Sequence, residues 1–277
     1  MKDIYNALLA EQQTDGTIPH HPYHKWRGAN WVLLQLADLG YPAGGRELIP
    51  LRNQVYEWLL SERHRKSVKT IADKPRRCGS QEGNAIFSTL TLGISDQRVE
   101  QLISNLVKWQ WPDGGWNCDK KPSAHTSSFH ETLPPFRALT LHARITACKT
   151  SRRAAEKAAE LFLSRKLFLR KKDDLVMDPG FTRLAYPAYW HYNILSGLKA
   201  MAEAGLINDP RCRTALDLLE SKRLPDGGWP AEVKFYRFSE ETANGTTPVD
   251  WGGTSRIKSN PYVTADALFV LRSAGRV

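Results

Sequence analysis

The sequence contains no run of about 18 consecutive apolar residues, which is the length that a membrane-spanning helix requires. Its first residues also lack the apolar core and the small-residue cleavage site of a secretory signal peptide. Only four cysteines are spread over 277 residues, which are too few and too scattered to suggest a disulfide framework. We therefore expect no transmembrane segment and a cytoplasmic location, with cysteines that are reduced thiols or metal ligands.

Acidic residues are fewer than basic ones. The chain has 29 acidic and 39 basic residues, which give a formal net charge of +10. No recognition helix, zinc finger or aromatic RNA-binding motif accompanies the excess, so we expect no sequence-specific nucleic-acid binding. The charge has two interpretations: a solvated basic face, or peripheral contact with an anionic surface. Many of the basic residues form two clusters along the chain: Arg63, His64, Arg65, Lys66, Lys69, Lys74, Arg76 and Arg77, and Arg165, Lys166, Arg170, Lys171 and Lys172.

Internal repetition is the strongest signal of organisation. A leucine precedes the aspartate of an Asp-Gly pair by seven residues in three places, the last two of which read PDGGW, at 112–116 and 225–229. Similar segments recur at steps of 46 to 57 residues. Such a period fits a pair of helices with two loops, repeated along the chain.

Four segments, 31–40, 85–93, 194–205 and 265–275, are apolar on more than one face and end at glycine. This pattern predicts buried helices with a glycine at the C-terminal end, while the segment 152–163 predicts an amphipathic outer helix. Strand signals are confined to a short hairpin within 231–257. We predict an all-α fold, an α/α toroid of about five to six helical hairpins that forms one domain over residues 1–277. An open solenoid is the alternative.

The QWPDGGW segment at 110–116 and the PDGGW segment at 225–229 resemble the QW motif of squalene–hopene and oxidosqualene cyclases. The chain is identified by this resemblance as a single-domain member of the terpenoid cyclase and protein prenyltransferase α/α-toroid superfamily. The resemblance implies an apolar, isoprenoid substrate at the barrel mouth. Five aromatic residues are predicted to bind it if they line the barrel, and to be core residues if they do not: Trp116, Phe129, Tyr189, Trp190 and Tyr192. The DxDD and DDxxD motifs are absent, so a full triterpene cyclase is not expected. Independently of any enzyme, Trp116 and Trp229 are predicted to pack over a neighbouring helix after a tight Asp-Gly-Gly turn.

A zinc site is the sharpest expectation. Its predicted ligands are Cys78, Cys118, His130 and His191, with Asp119 as a nearby oxygen. All lie at or just before the starts of helices, which the helix-pair period brings to one ring of loops. The resemblance adds that prenyltransferase β-subunits bind zinc with Asp, Cys and His at this mouth. In the structural alternative, the cysteines are small buried residues and the histidines are hydrogen-bonded at helix starts.

Three further interpretations remain open. Asp119, Glu131 and His191 are candidates for acid–base catalysis, ahead of Glu82, because apolar walls would raise the pKa of a carboxyl group. The segment 78–81 (CGSQ) has the Cys and Gln spacing of an internal thioester. As a whole, the chain is predicted to act on an apolar substrate, or to be a non-catalytic scaffold that binds an anionic partner, or to be a carbohydrate-active toroid with paired carboxylates. Nothing in the sequence indicates an oligomeric state.

Overall fold

Helices dominate the computed structural model, which describes residues 1–277 and confirms the all-α prediction. There are eleven α-helices: α1 (Lys2–Leu9), α2 (Ala29–Asp38), α3 (Ile49–Leu60), α4 (Glu62–Lys66), α5 (Gly79–Thr91), α6 (Arg98–Trp109), α7 (Phe129–Thr146), α8 (Lys149–Leu163), α9 (Ile194–Glu203), α10 (Arg213–Ser221) and α11 (Pro261–Ser273). None of them is both long enough and apolar enough to cross a lipid bilayer.

Three 3-10 helices, Arg46–Leu48, Pro179–Thr182 and Pro210–Cys212, and two short sheets complete the secondary structure. Strands β1 (Lys69–Ile71) and β2 (Lys74–Arg76) form an antiparallel hairpin that the sequence did not predict. Strands β3 (Arg237–Phe238) and β4 (Thr246–Thr247) lie within the segment 231–257, but they pair in parallel, so the prediction of a hairpin there was wrong. Arg237 pairs with Thr246 and Phe238 with Thr247, so both strands run in the same direction, unlike the strands of a hairpin.

Contacts along the chain group into two compact units. The first consists of Met1–Ala155 and Tyr236–Asp250, and the second of Glu156–Phe235 and Trp251–Val277. The closed toroid and the single domain over 1–277 stay predictions, and each unit is described by itself.

In the first unit, α5 packs against both α2 and α7. Helices α2 and α5 are buried along most of their length, as their apolar sequences predicted. The close contact between α5 and α7 requires a residue without a side chain at position 83, which is glycine. A Cβ atom there would lie 2.5 Å from the backbone carbon of Pro134 and 2.5 Å from the nitrogen of Pro135. The start of α5 is therefore held against the first turns of α7.

In the second unit, α9 packs against α10 and α11. Asn193 and Ser196 form a reciprocal cap at the start of α9, and the Asn260 side chain accepts hydrogen bonds from two backbone N–H groups of α11. These bonds satisfy donors that the first turn of a helix leaves without partners. At the other ends, the predicted glycines 40, 93, 205 and 275 all have positive φ angles, which confirms the predicted helix ends.

The two PDGGW segments have the same local structure. The indole N–H of Trp116 donates to Leu106 O at 2.9 Å, and that of Trp229 donates to Leu219 O at 2.7 Å, in each case ten residues earlier. The backbone N–H of each tryptophan donates to a threonine hydroxyl in the first turn of the following helix, Thr132 and Thr264. The predicted packing role of both tryptophans is confirmed, because each joins the helix before its turn to the helix after it.

Candidate functional site

Three side chains with metal-binding atoms converge in the first unit. The sulfur atoms of Cys78 and Cys118 and a carboxylate oxygen of Glu131 all lie within 4.8 Å of one another, and all three residues are partly buried. The Cys118 thiol donates to Glu131 Oε1 at 3.6 Å. We call these three residues the Cys–Glu cluster.

Backbone pairing between distant segments places the two cysteines together. The Arg77 N–H donates to Asn117 O at 2.9 Å. Cys78 follows Arg77 and Cys118 follows Asn117, so this hydrogen bond brings the two cysteines together. Cys78 is also the N-cap residue of α5. The two cysteines are therefore held by the start of a buried helix and by the loop that follows Trp116.

Glu131 reaches the cluster from the first turn of α7. Ser128, the residue before that helix, donates its N–H to Trp116 O at 2.9 Å, which fixes the helix start beside the Cys118 loop. The other carboxylate oxygen, Oε2, accepts a hydrogen bond from Ser80 N–H at 3.1 Å. Ser80 lies in the first turn of α5, whose N–H groups have no partner within the helix and favour a negative charge.

Two neighbours of the cluster, Ser80 and Tyr23, were not predicted as site residues. Ser80 donates its backbone N–H to Glu131, and its hydroxyl oxygen lies 3.3 Å from the phenolic oxygen of Tyr23. The position of Ser80, two residues after Cys78 at a predicted helix start, was a usable signal. Tyr23 had none, because it precedes α2, more than fifty residues before Cys78 in the chain.

The environment of the cluster favours protonated groups. Burial raises the pKa of the Glu131 carboxyl group, although the Ser80 N–H and the Cys118 thiol act in the opposite direction. The pKa of the Cys118 thiol is raised by its hydrogen bond with Cys78, by burial and by the neighbouring Glu131 charge. Burial, with the charges of Glu131, Cys78 and Cys118, also raises the pKa of Tyr23. Burial and the Glu131 charge thus both oppose ionisation of Cys118 and Tyr23, and a bound divalent cation would counteract that effect.

A buried ion pair lies directly beside Cys78. Glu82 is fully buried, and its Oε2 accepts a hydrogen bond from Arg77 Nε at 3.0 Å, while Arg77 Nη2 contacts Oε1. His64 Nε2 lies 3.3 Å from Oε1. Burial acts to raise the pKa of Glu82, but the Arg77 charge and the hydrogen bonds from His64 and Arg77 hold it below its usual value. Glu82 is therefore a structural anion that fixes Arg77, the residue before Cys78.

His130 and Asp119 are not in the Cys–Glu cluster. His130 and Glu131 are consecutive residues of α7, and consecutive side chains of a helix point about 100° apart. Glu131, expected as an acid–base residue, takes the position predicted for His130. The Asp119 side chain is exposed and accepts a hydrogen bond from Lys121 N–H at 2.9 Å, which folds its own loop.

His191 belongs to the second unit. Its ring stacks between Trp190 and Phe235, with centroid distances of 3.8 and 3.5 Å. Its Nδ1 lies 3.2 Å from Ala188 O. Trp190 and the preceding Tyr189 are partly exposed, so this aromatic stack borders on solvent.

Three of the five aromatic residues predicted to bind substrate are buried in their units. Trp116 is fully buried behind its PDGGW turn, and Phe129 is the first residue of α7. Tyr192 donates its hydroxyl to Leu167 O at 2.7 Å and packs against Phe162 and Phe181. These contacts give all three side chains a packing role.

Comparison with known proteins does not assign a family. No protein-family model and no curated protein matches the chain. The site therefore has to be interpreted from its own residues.

The four cysteines, all of them free, should differ sharply in reactivity. Hydrogen bonds from the Ser151 N–H and hydroxyl lower the pKa of Cys148, whereas burial raises that of Cys212 to about 12. Because the thiolate is the reactive form, we expect iodoacetamide at neutral pH and with a chelator present to modify Cys148 first and Cys118 and Cys212 slowly. Peptide mass spectrometry measures each rate, and Cys148→Ser removes the fast phase as a control. Equal rates at Cys148 and Cys118 would contradict the assigned environments.

Proposed function

We propose that Cys78, Cys118 and Glu131 bind a zinc ion and that the chain is an enzyme acting on an apolar, isoprenoid-class substrate. The Cys–Glu cluster is the observation that carries the proposal. Thiolate and carboxylate are both zinc ligands, and three protein ligands with an open fourth position are typical of catalytic zinc. When bound, the metal would lower the pKa of a water molecule or substrate heteroatom in that position.

The residues present fit such an ion. Two sulfur atoms bound tetrahedrally to one zinc are about 3.8 Å apart, as follows from a zinc–sulfur bond of about 2.3 Å. The three donor atoms of the cluster already lie within 4.8 Å of one another, so small side-chain adjustments suffice. A zinc ion would have to displace the protons that the raised pKa values keep on Cys118 and Glu131. The Ser80 N–H would orient the Glu131 carboxylate from behind, as partners of metal ligands usually do.

The wider proposal keeps the toroid and its substrate class. The repeated PDGGW turns, each joining two helices in the same way, support a helix-pair repeat, and closure into a single toroid is the arrangement that we propose. Tyr189 and Trp190 remain the proposed apolar contacts, since they are only partly buried. Four free cysteines support a reducing, cytoplasmic location. The carbohydrate-active alternative needs Asp119 and Glu131 as a catalytic pair, and nothing in the loop structure of Asp119 supports it.

Metal analysis tests the proposal directly. We expect about one zinc ion per chain after expression with zinc and dialysis, measured by inductively coupled plasma mass spectrometry. Loss of a ligand in Cys118→Ser or Glu131→Ala should weaken zinc binding by at least ~10–100-fold, the cost seen even for residues that only support ligands. Cys148→Ser is the matched control, because Cys148 lies outside the cluster, and it should retain the zinc. Wild-type protein without zinc, or Cys118→Ser with unchanged affinity, would reject the metal site.

A further inference from the structure

A short hairpin, residues 168–177 of the second unit, is not used by the proposed function. Leu169 and Val176 form an antiparallel bridge. Arg170 N–H donates to Leu175 O at 2.8 Å, and Met177 N–H donates to Phe168 O at 2.9 Å. We call this segment the 168–177 hairpin.

The two strands of this hairpin differ in their solvent exposure. Phe168 and Leu169 on the first side are buried. On the second side, Leu175, Val176 and Met177 are 57%, 41% and 38% exposed. Successive side chains of an extended segment point to opposite faces, so exposure of three in a row means that neither face of this side is covered. Consecutive exposed apolar residues are uncommon on protein surfaces unless they bind something.

The charges around these apolar residues are not balanced locally. Lys166 pairs with Asp174 at 2.6 Å, and Arg170 pairs with Asp173 at 3.0 Å, so both aspartates of the turn are already neutralised. Lys171 and Lys172 are exposed at the same turn and form no ion pair. The hairpin therefore presents two uncompensated ammonium groups next to three apolar side chains.

We propose that the 168–177 hairpin docks on an anionic lipid surface. Leu175, Val176 and Met177 enter the boundary between headgroups and acyl chains, while Lys171 and Lys172 contact the headgroup phosphates and carboxylates. Apolar side chains beside unpaired lysines match the chemistry of that boundary. The net charge of +10 adds attraction over a longer range. Two exposed lysines without an ion pair complement an anionic surface, which favours lipid headgroups as the partner.

Vesicle sedimentation tests the proposal with metal-free, EDTA-treated protein, so that its outcome does not depend on the zinc site. We expect the wild type to sediment with phosphatidylcholine vesicles containing phosphatidylserine and to be released by high salt. Lys171→Gln with Lys172→Gln should lower the partition coefficient at least ~10-fold, because each lysine near an anionic surface contributes appreciably. Leu175→Ser with Met177→Ser should lower it by a similar factor.

Ile145→Ser is the matched control, since Ile145 on α7 is 57% exposed, like Leu175, but lies in the first unit. It should bind vesicles as the wild type does. Absence of binding, equal binding to neutral and anionic vesicles, or an equal loss in Ile145→Ser would overturn the proposal. A dimer in analytical ultracentrifugation that Leu175→Ser abolishes, without vesicle binding, would assign the hairpin to a second copy instead.

Discussion

Glu82→Ala is expected to lower the free energy of unfolding by about 3–5 kcal/mol. Glu82 is fully buried, and its carboxylate is the partner of the Arg77 guanidinium, which is itself 5% exposed. Removing the carboxylate leaves a buried positive charge without its counter-ion, and that is among the most destabilising single changes known in proteins. Urea denaturation followed by circular dichroism measures the loss.

Two further variants separate the buried charge from general damage. Glu62→Ala removes an ion pair with Lys66 in which both side chains are more than two-thirds exposed, so its loss should stay below about 1 kcal/mol. The double variant Arg77→Met, Glu82→Leu removes both charges and should recover much of the stability. If Glu82→Ala lost no more than Glu62→Ala, the buried ion pair would not have the structural role assigned to it.

Glu82 also determines the direction in which the free energy of unfolding changes with pH. The pKa of Glu82 is lower in the folded protein than its usual value near 4.5. Its stabilisation is therefore complete above that usual value and is lost as the pH falls through the lower folded value. Glu82→Gln should reduce the part of the acid destabilisation that this carboxyl group causes, while starting from a lower stability at neutral pH.

Trp116→Ala is the second large effect, with an expected loss of about 3–5 kcal/mol. The Trp116 side chain is fully buried, and its indole N–H donates to Leu106 O at 2.9 Å, so truncation leaves both a cavity and a buried carbonyl without that partner. Trp229 has the same contacts in the second unit, so Trp229→Ala should cost a similar amount. Chemical denaturation of both variants provides the measurement.

Controls distinguish packing from substrate binding. Trp116→Phe keeps most of the volume and should cost less than Trp116→Ala. Phe238→Ala removes an aromatic ring that is 52% exposed and should change stability by less than about 1 kcal/mol. If Trp116→Ala had the same free energy of unfolding as the wild type, the packing role would be contradicted. Trp116 would then again be a candidate substrate-binding residue.

The sequence predicted the helices well and the strands poorly, for local reasons. Apolar residues on several faces, followed by glycine, identified α2, α5, α9 and α11, and each of those glycines has a positive φ angle. The β1–β2 hairpin has Ala72 and Asp73 at its turn, both with positive φ angles, and this pair lacks the glycine that usually marks such a turn. Its strands are three residues long, too short for an alternating pattern to stand out.

The sequence predicted each residue of the candidate site, but it did not predict that these three residues lie together. Cys78, Cys118 and Glu131 were each named from the sequence, but the ligands expected beside the two cysteines were His130 and His191. Which of two consecutive residues in α7 faces the cysteines depends on the rotation of the helix, and that rotation is fixed by the Ser128–Trp116 hydrogen bond and by the close approach of Gly83 to Pro134. The first contact spans a loop and the second joins two separate helices, so no helical or strand periodicity reveals them.

X-ray absorption at the zinc edge of zinc-loaded protein tests the central claim most directly. A site formed by Cys78, Cys118 and Glu131 predicts two sulfur atoms at about 2.3 Å and oxygen atoms at about 2.0–2.2 Å from the metal. In Cys118→Ser, one of the two sulfur contributions should disappear. A first shell without sulfur in the wild-type protein would contradict the assignment of the Cys–Glu cluster as a zinc site.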